Sequence, residues 1–149
     1  MEKTSNSYKS LDALTQLRII RQEREAYLKE LKFLHLAPAT NRLVQKVIEY
    51  IHQHFFEELC TVQHLKDELG IHDHNFSSLF KYHVHMGIKE YINYHRLVLA
   101  KRLLKHKGLS IFHVALEIGY STHEAFTMEF KKHESCTPSA FQAQTVKKI

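Results

Sequence analysis

The sequence repeats itself once. His64, Leu65, Glu68, Leu69 and Gly70 align with His113, Val114, Glu117, Ile118 and Gly119 at a shift of 49 residues. Phe76, Phe80, Lys81 and His83 then align with Phe126, Phe130, Lys131 and His133 at a shift of 50, which Tyr91 and Phe141 keep. The two copies therefore differ by one inserted turn residue. A recurrence of this length marks two copies of one supersecondary unit. Each copy reads as a short helix, a glycine-containing turn and a second helix with two aromatics on its inward face, the pattern of a helix-turn-helix. Such units lay their second helix in the major groove of DNA.

The rest of the chain fits helices. With 4 Gly and 2 Pro among 149 residues, it lacks the turn residues that an all-β protein needs, and its 44% hydrophobic content suffices for one compact domain. The expected fold is all-α: two helix-turn-helix subdomains joined by a long connecting helix, with an N-terminal helical arm. The first ten residues are polar and read as a loose tail. In residues 11–36, Leu14, Leu17, Ile20, Leu28, Leu31 and Leu34 form an apolar stripe interrupted at Arg24, which fits one amphipathic helix or two short ones. Ala37, Pro38 and Ala39 stop it. The domain division is thus a tail and arm over residues 1–40 and a double helix-turn-helix domain over residues 41–149.

Within that domain, Val44, Val47, Ile48 and Ile51 share one face. Thr61 N-caps a helix with Val62, Leu65 and Leu69 that Gly70 ends. A second helix turns Phe76, Leu79 and Phe80 inward. Residues 88–107 form the connecting helix, with Tyr91, Ile92, His95, Leu99, Leu103 and Leu104 in register and Gly108 as terminator. Ser110 caps the next helix, Ser121 and Glu124 form a capping box for the one carrying Phe126 and Phe130, and Thr137 and Pro138 start the last. A connecting helix of about 20 residues spans roughly 30 Å, near the ~34 Å at which major grooves recur on one side of the duplex. One chain could then read two successive grooves.

Taken together, several stretches carry a family resemblance: LFK at 79–81, EYI..HRL..AKRLL at 90–104, I..VA.EIGYS at 111–121 and EFKKHESCTPSAF at 129–141. Over about residues 43–144 the chain resembles the AraC/XylS-type transcription regulators. The resemblance implies a DNA-binding region of two helix-turn-helix units on a long helix, and help in recruiting RNA polymerase. The sequence departs from the pattern at His85 and Ser135, where the family usually has glycine, so those turns need another conformation or carry strain, with Gly87 available to take over in the first unit. It also lacks the arginines the family often has at Ser78, Met128 and Gln142. The family's common sensory domain is not in the roughly 40 residues before the first unit.

The residues expected to meet DNA are His74, Asn75, Ser78, Lys81 and Tyr82 in the first unit, and Thr122, His123, Thr127, Lys131 and Lys132 in the second. Asn75 can pair with adenine through two bonds, and His74 or Ser78 can reach a base edge or a phosphate. Asp73 is read as a helix cap, and Glu124 as the partner in the capping box. Arg96 is expected to brace the connecting helix against a neighbouring unit. Lys101, Arg102, Lys105 and Lys107 are either solvated or near phosphates, where each neutralised charge steepens the salt dependence of binding.

A net charge of +5 and an isoelectric point of about 9.2 suit a polyanionic partner. Double-stranded DNA is the expected partner, with RNA polymerase a second and a dimer through residues 11–36 a third. The 13 histidines include the pairs His52/His54, His72/His74 and His83/His85, whose spacing points to different helix faces and not to a chelating site. No metal, cofactor or catalytic residue is expected: P-loop, GxGxxG and GxSxG motifs are all missing. Histidines near phosphates would add positive charge as pH falls toward ~6.5 and tighten nonspecific binding. Two well-separated cysteines, and the lack of an apolar leader or membrane-length run, predict a reduced cytoplasmic setting without membrane contact. The competing function is a protein-interaction module that keeps this fold, binds another regulator or polymerase, and does not read DNA specifically.

Overall fold

The structure, a computed structural model, describes residues 11–32 and 41–146. The predicted tail and the stop at residues 37–39 lie outside them. The described residues form eight helices and no strand: α1 (Ala13–Lys32), α2 (Arg42–His54), α3 (Val62–Glu68), α4 (Phe76–Val84), α5 (Ile88–Leu103), α6 (Ile111–Glu117), α7 (His123–Glu134) and α8 (Pro138–Val146). None is long and apolar enough to cross a membrane. Units α3–α4 and α6–α7 flank α5, and one continuous apolar core runs through both.

The repeat is visible in the packing. Phe76 and Phe80 are buried on α4, and Phe126 and Phe130 on α7. Phe80 meets Tyr91 edge-on at 5.7 Å, and Phe130 meets Phe141 edge-on at 5.4 Å. Helix α8 therefore stands in the second unit where the start of α5 stands in the first. His85 and Ser135 close the two reading helices in the same left-handed conformation, at φ 66° and 61°. The expected rescue by Gly87 does not occur: Gly87 has φ −67° and serves as the N-cap of α5. Hydrogen bonds from the His85 and Ser135 N–H groups to the carbonyls of Lys81 and Lys131 hold the conformation that glycine would adopt without strain.

The connecting helix is shorter than expected. It runs 16 residues and stops at Leu103, with Leu104 as its cap, so it spans about 24 Å. Buried Leu103 and Leu104 draw the chain into the core before Gly108 is reached, and buried Leu109 does so again just after it. Gly108, at φ +81°, instead marks where the N-terminal segment crosses: a Cβ there would lie 3.0 Å from Leu11 Cγ.

The arm is one helix, docked on its own chain. α1 packs chiefly on α5 and also on α2 and α6, burying Gln16, Ile20, Tyr27 and Leu31. Gln16 joins α1 to the start of α6. Its Nε2 donates to the Leu11 carbonyl, and its Oε1 accepts from the Ser110 N–H at 3.0 Å and lies 2.9 Å from His113 Nδ1. Ser110 holds the N-cap position, but its side chain makes no capping bond. Farther along, Tyr27 Oη lies 2.6 Å from His95 Nδ1 and Arg102 Nη1 donates to Glu30 at 2.8 Å. The Arg24 guanidinium covers the Phe56 ring at 4.5 Å.

Candidate nucleic-acid interface

Each reading helix is pinned by its two phenylalanines, which decides what faces outward. In the first unit, Asp73 Oδ1 accepts from the Asn75 N–H at 2.8 Å. This carboxylate is thus used by the turn, as expected. The Asn75 side chain makes no capping bond, and His74, Asn75, Ser78, Lys81 and Tyr82 are all exposed, Tyr82 at 76%. All five first-unit candidates occupy one helix and its leading turn. Ser77, absent from the expected set, is also exposed and accepts a hydrogen bond from Lys66 Nζ.

The second unit differs from expectation. Helix α7 starts three repeat positions earlier than α4, because Thr122 is extended and its Oγ1 accepts from the Ala125 N–H at 3.0 Å. Thr122 is the cap, and the predicted box of Ser121 and Glu124 does not form. His123 and Thr127 are half-buried. Thr127 Oγ1 is enclosed and has no hydrogen-bond partner, while Lys131 and Lys132 are exposed. Glu124 and Met128 are exposed too, Met128 at 74%. Counting at the shift of 50 would have found Met128, since it is the counterpart of Ser78.

Charges on α5 are largely committed. Arg96 is only 8% exposed. Its Nε donates to the Phe55 carbonyl at 2.7 Å, and Nη2 donates to those of Glu57 and Cys60 at 3.0 and 3.2 Å. Burial works against its charge, and the three carbonyls offset that cost. It reaches the second unit as well: its guanidinium lies 5.4 Å from the Tyr120 ring, and its Nε would be 2.8 Å from a Cβ on Gly119. Lys101 pairs with Glu134 at 3.0 Å and Arg102 with Glu30. Lys105 remains exposed.

Several histidines serve the scaffold. His95 is buried, and burial followed by the nearby His52 pushes its pKa down to about 3. Burial also lowers His52, whose Nε2 lies 2.6 Å from Tyr91 Oη. His54 pairs with Glu57 and His106 with Glu23. His72, His74 and His85 are exposed.

Both reading helices border one groove. It encloses about 810 Å³ and is lined by Ser77 of α4, by Lys89, Glu90, Asn93, Tyr94 and Lys101 of α5, and by Glu129, Lys132, His133 and Glu134 of α7, so both signs of charge border it. Basic residues crowd the last turns of both helices, Lys81 and His83 on α4 and Lys131, Lys132 and His133 on α7. Positive charge there also complements the helix dipole. Convex helices with exposed polar residues and lysines beside a shared groove match a duplex better than a small substrate.

Known proteins show the same unit. A family model described as a helix-turn-helix domain matches residues 65–144. The HTH-type transcriptional regulator AlkR of Acinetobacter baylyi is 35% identical over 89 residues, which are 60% of this chain and 29% of AlkR. The regulatory protein SoxS of Salmonella typhimurium is 27% identical over 101 residues, covering 68% of this chain and 94% of SoxS. Among solved structures, the C-terminal domain of the response regulator AraT from Geobacillus stearothermophilus superposes with a TM-score of 0.67. It shares 23% identity and covers 71% of this chain and 88% of that domain. The chain spans about a third of the length of the first relatives it matches.

Proposed function

The chain belongs to the AraC/XylS-type family of helix-turn-helix, DNA-binding transcription regulators, and we propose that it reads a two-part operator by seating α4 and α7 in adjacent major grooves. The observation that carries this reading is the repeated scaffold on either side of α5, in which paired phenylalanines bury one face of α4 and of α7 and leave polar and basic residues of the other face exposed. His74, Asn75 and Ser78 face the bases of the first half-site. Lys81, Tyr82, Lys131 and Lys132 face phosphates, where they position the protein without reading sequence. His123 supports the N-terminal turn of α7. Thr127, with its hydroxyl enclosed, contributes through its methyl or by packing. Family membership supports recruitment of RNA polymerase once the protein is bound. The docking of α1 on α2, α5 and α6 supports a role as a packing element of the same chain over a role as a dimer arm.

A gel shift with genomic fragments at physiological salt tests the reading. Retention of a few fragments against excess competitor is the expected result. Binding that is salt-sensitive but indifferent to sequence, or no binding, would assign the fold to a protein-interaction role instead.

A further inference from the structure

The two reading surfaces are chemically unlike although their scaffolds match. On α4 and its leading turn the outward positions carry hydrogen-bonding groups: His74, Asn75 and Ser78. On α7 the exposed positions ahead of the lysines are Glu124 and Met128, four residues apart and so on one face. Neither makes a side-chain hydrogen bond, ion pair or ring contact among the described residues. Met128 has no core role either, because Phe126 and Phe130 fill that face and leave it 74% exposed. A long apolar side chain in the middle of a groove-entering helix, with Lys131 and Lys132 beyond it, has one distinctive feature to meet on the base edges: the C5-methyl group of thymine. A carboxylate can accept from the N4 amino group of cytosine or the N6 amino group of adenine, but the acceptor N7 beside the latter repels it, as phosphates do, so cytosine is the favoured partner. The two side chains start about 6 Å apart along the helix, close to two base-pair steps.

We propose that α7 reads its half-site by apolar contact, Met128 packing on a thymine methyl, with Glu124 accepting from a cytosine amino group about two steps away. This rests on the operator-reading function above. The operator is then not a palindrome: one half-site is recognised through hydrogen bonds, the other through a methyl group and a single amino group. The share of selectivity that comes from Met128 should not depend on salt, because a thioether carries no charge.

The test begins by selecting sites for the wild-type protein from a random duplex library. Each thymine of the selected site is then replaced by uracil, which lacks only the methyl group, and affinity is measured for wild type and Met128→Ser. The expected result is one thymine in one half-site whose replacement weakens the wild type about three- to fivefold and leaves Met128→Ser unchanged. Glu124→Gln should lose preference for one cytosine in that same half-site. Both positions are exposed, so unchanged melting temperatures separate reading from folding. If a motif emerges but uracil costs the wild type nothing at any position, the proposal fails and the operator-reading function stands. A wild type that selects no motif overturns that function, and the proposal with it.

Discussion

Arg96 shows how much of this molecule depends on single side chains. One buried guanidinium satisfies three carbonyls of the turn that follows α2 and lies against Gly119 and Tyr120 of the second unit. Replacing it with methionine keeps most of the volume but leaves three acceptors without their donor, each costing about 1–3 kcal/mol if buried. Chemical unfolding of Arg96→Met should therefore show a loss of at least about 3 kcal/mol. Lysine should rescue little, since a single ammonium cannot reproduce the planar fork. Gly119→Ala attacks the same contact from the other side. Its Cβ would press on Arg96 at 2.8 Å, at a φ of +107° that suits only glycine, and a cost of about 1–3 kcal/mol is expected. A variant as stable as wild type would show that both the guanidinium and the backbone at this position can shift freely. At the interface the readout is different: His74→Ala and Asn75→Ala should each relax base preference in one half-site by about 1–3 kcal/mol. Melting should not change, because both side chains are exposed.

Among the elements, the pairing of α1 with α5 has a built-in response to acid. His95 is buried beside Tyr27 of α1 and His52 of α2, and its pKa lies at about 3. The unfolded chain takes up this proton near 6.5, whereas the folded chain does so only near 3, so stability falls as pH drops through that window. Between pH 7.5 and 5 the loss from His95 alone should be about 2 kcal/mol, and His52, lowered in the same direction, adds to it. Urea unfolding at several pH values measures the slope, and His95→Gln should flatten it. An identical slope in that variant would place the acid sensitivity elsewhere.

Most elements could be read from the sequence because the repeat supplied two views of each. Thr61, the inward phenylalanines and the Thr137–Pro138 start were legible from local chemistry. The end of α5 was not, because leucines 103 and 104 continue the helical spacing while the core pulls them out of it. Gln16 was invisible for another reason: its partners lie 94 and 97 residues away, and nothing local distinguishes it from a surface glutamine. The two left-handed caps carry no glycine, so local chemistry does not mark them; the family pattern, which usually has glycine where His85 and Ser135 stand, does. On α7, Met128 stood out in the sequence only as a missing arginine, because an apolar side chain carries no hydrogen-bonding chemistry to mark it as a base contact.

At the scale of the whole molecule, the question is whether the two units can move independently. α5 alone covers about 24 Å, less than the ~34 Å groove repeat, so the remaining reach must come from the reading helices that flank it. That reach is fixed if the units are rigidly joined. Arg96 touches both units, Lys101 ties α5 to the end of α7, and the apolar core is continuous from α2 to α7. A rigid pair tolerates one half-site spacing. Inserting five base pairs between the half-sites turns the second groove to the far side of the duplex, and affinity should fall to the nonspecific level. Inserting ten restores the face but lengthens the separation by about one helical turn, ~34 Å, which no bending of a 16-residue helix can supply. Binding should therefore stay lost at both insertions, as measured by gel shift at constant salt. Recovery at ten base pairs would mean that the units separate on DNA or that two chains share the site, one on each half.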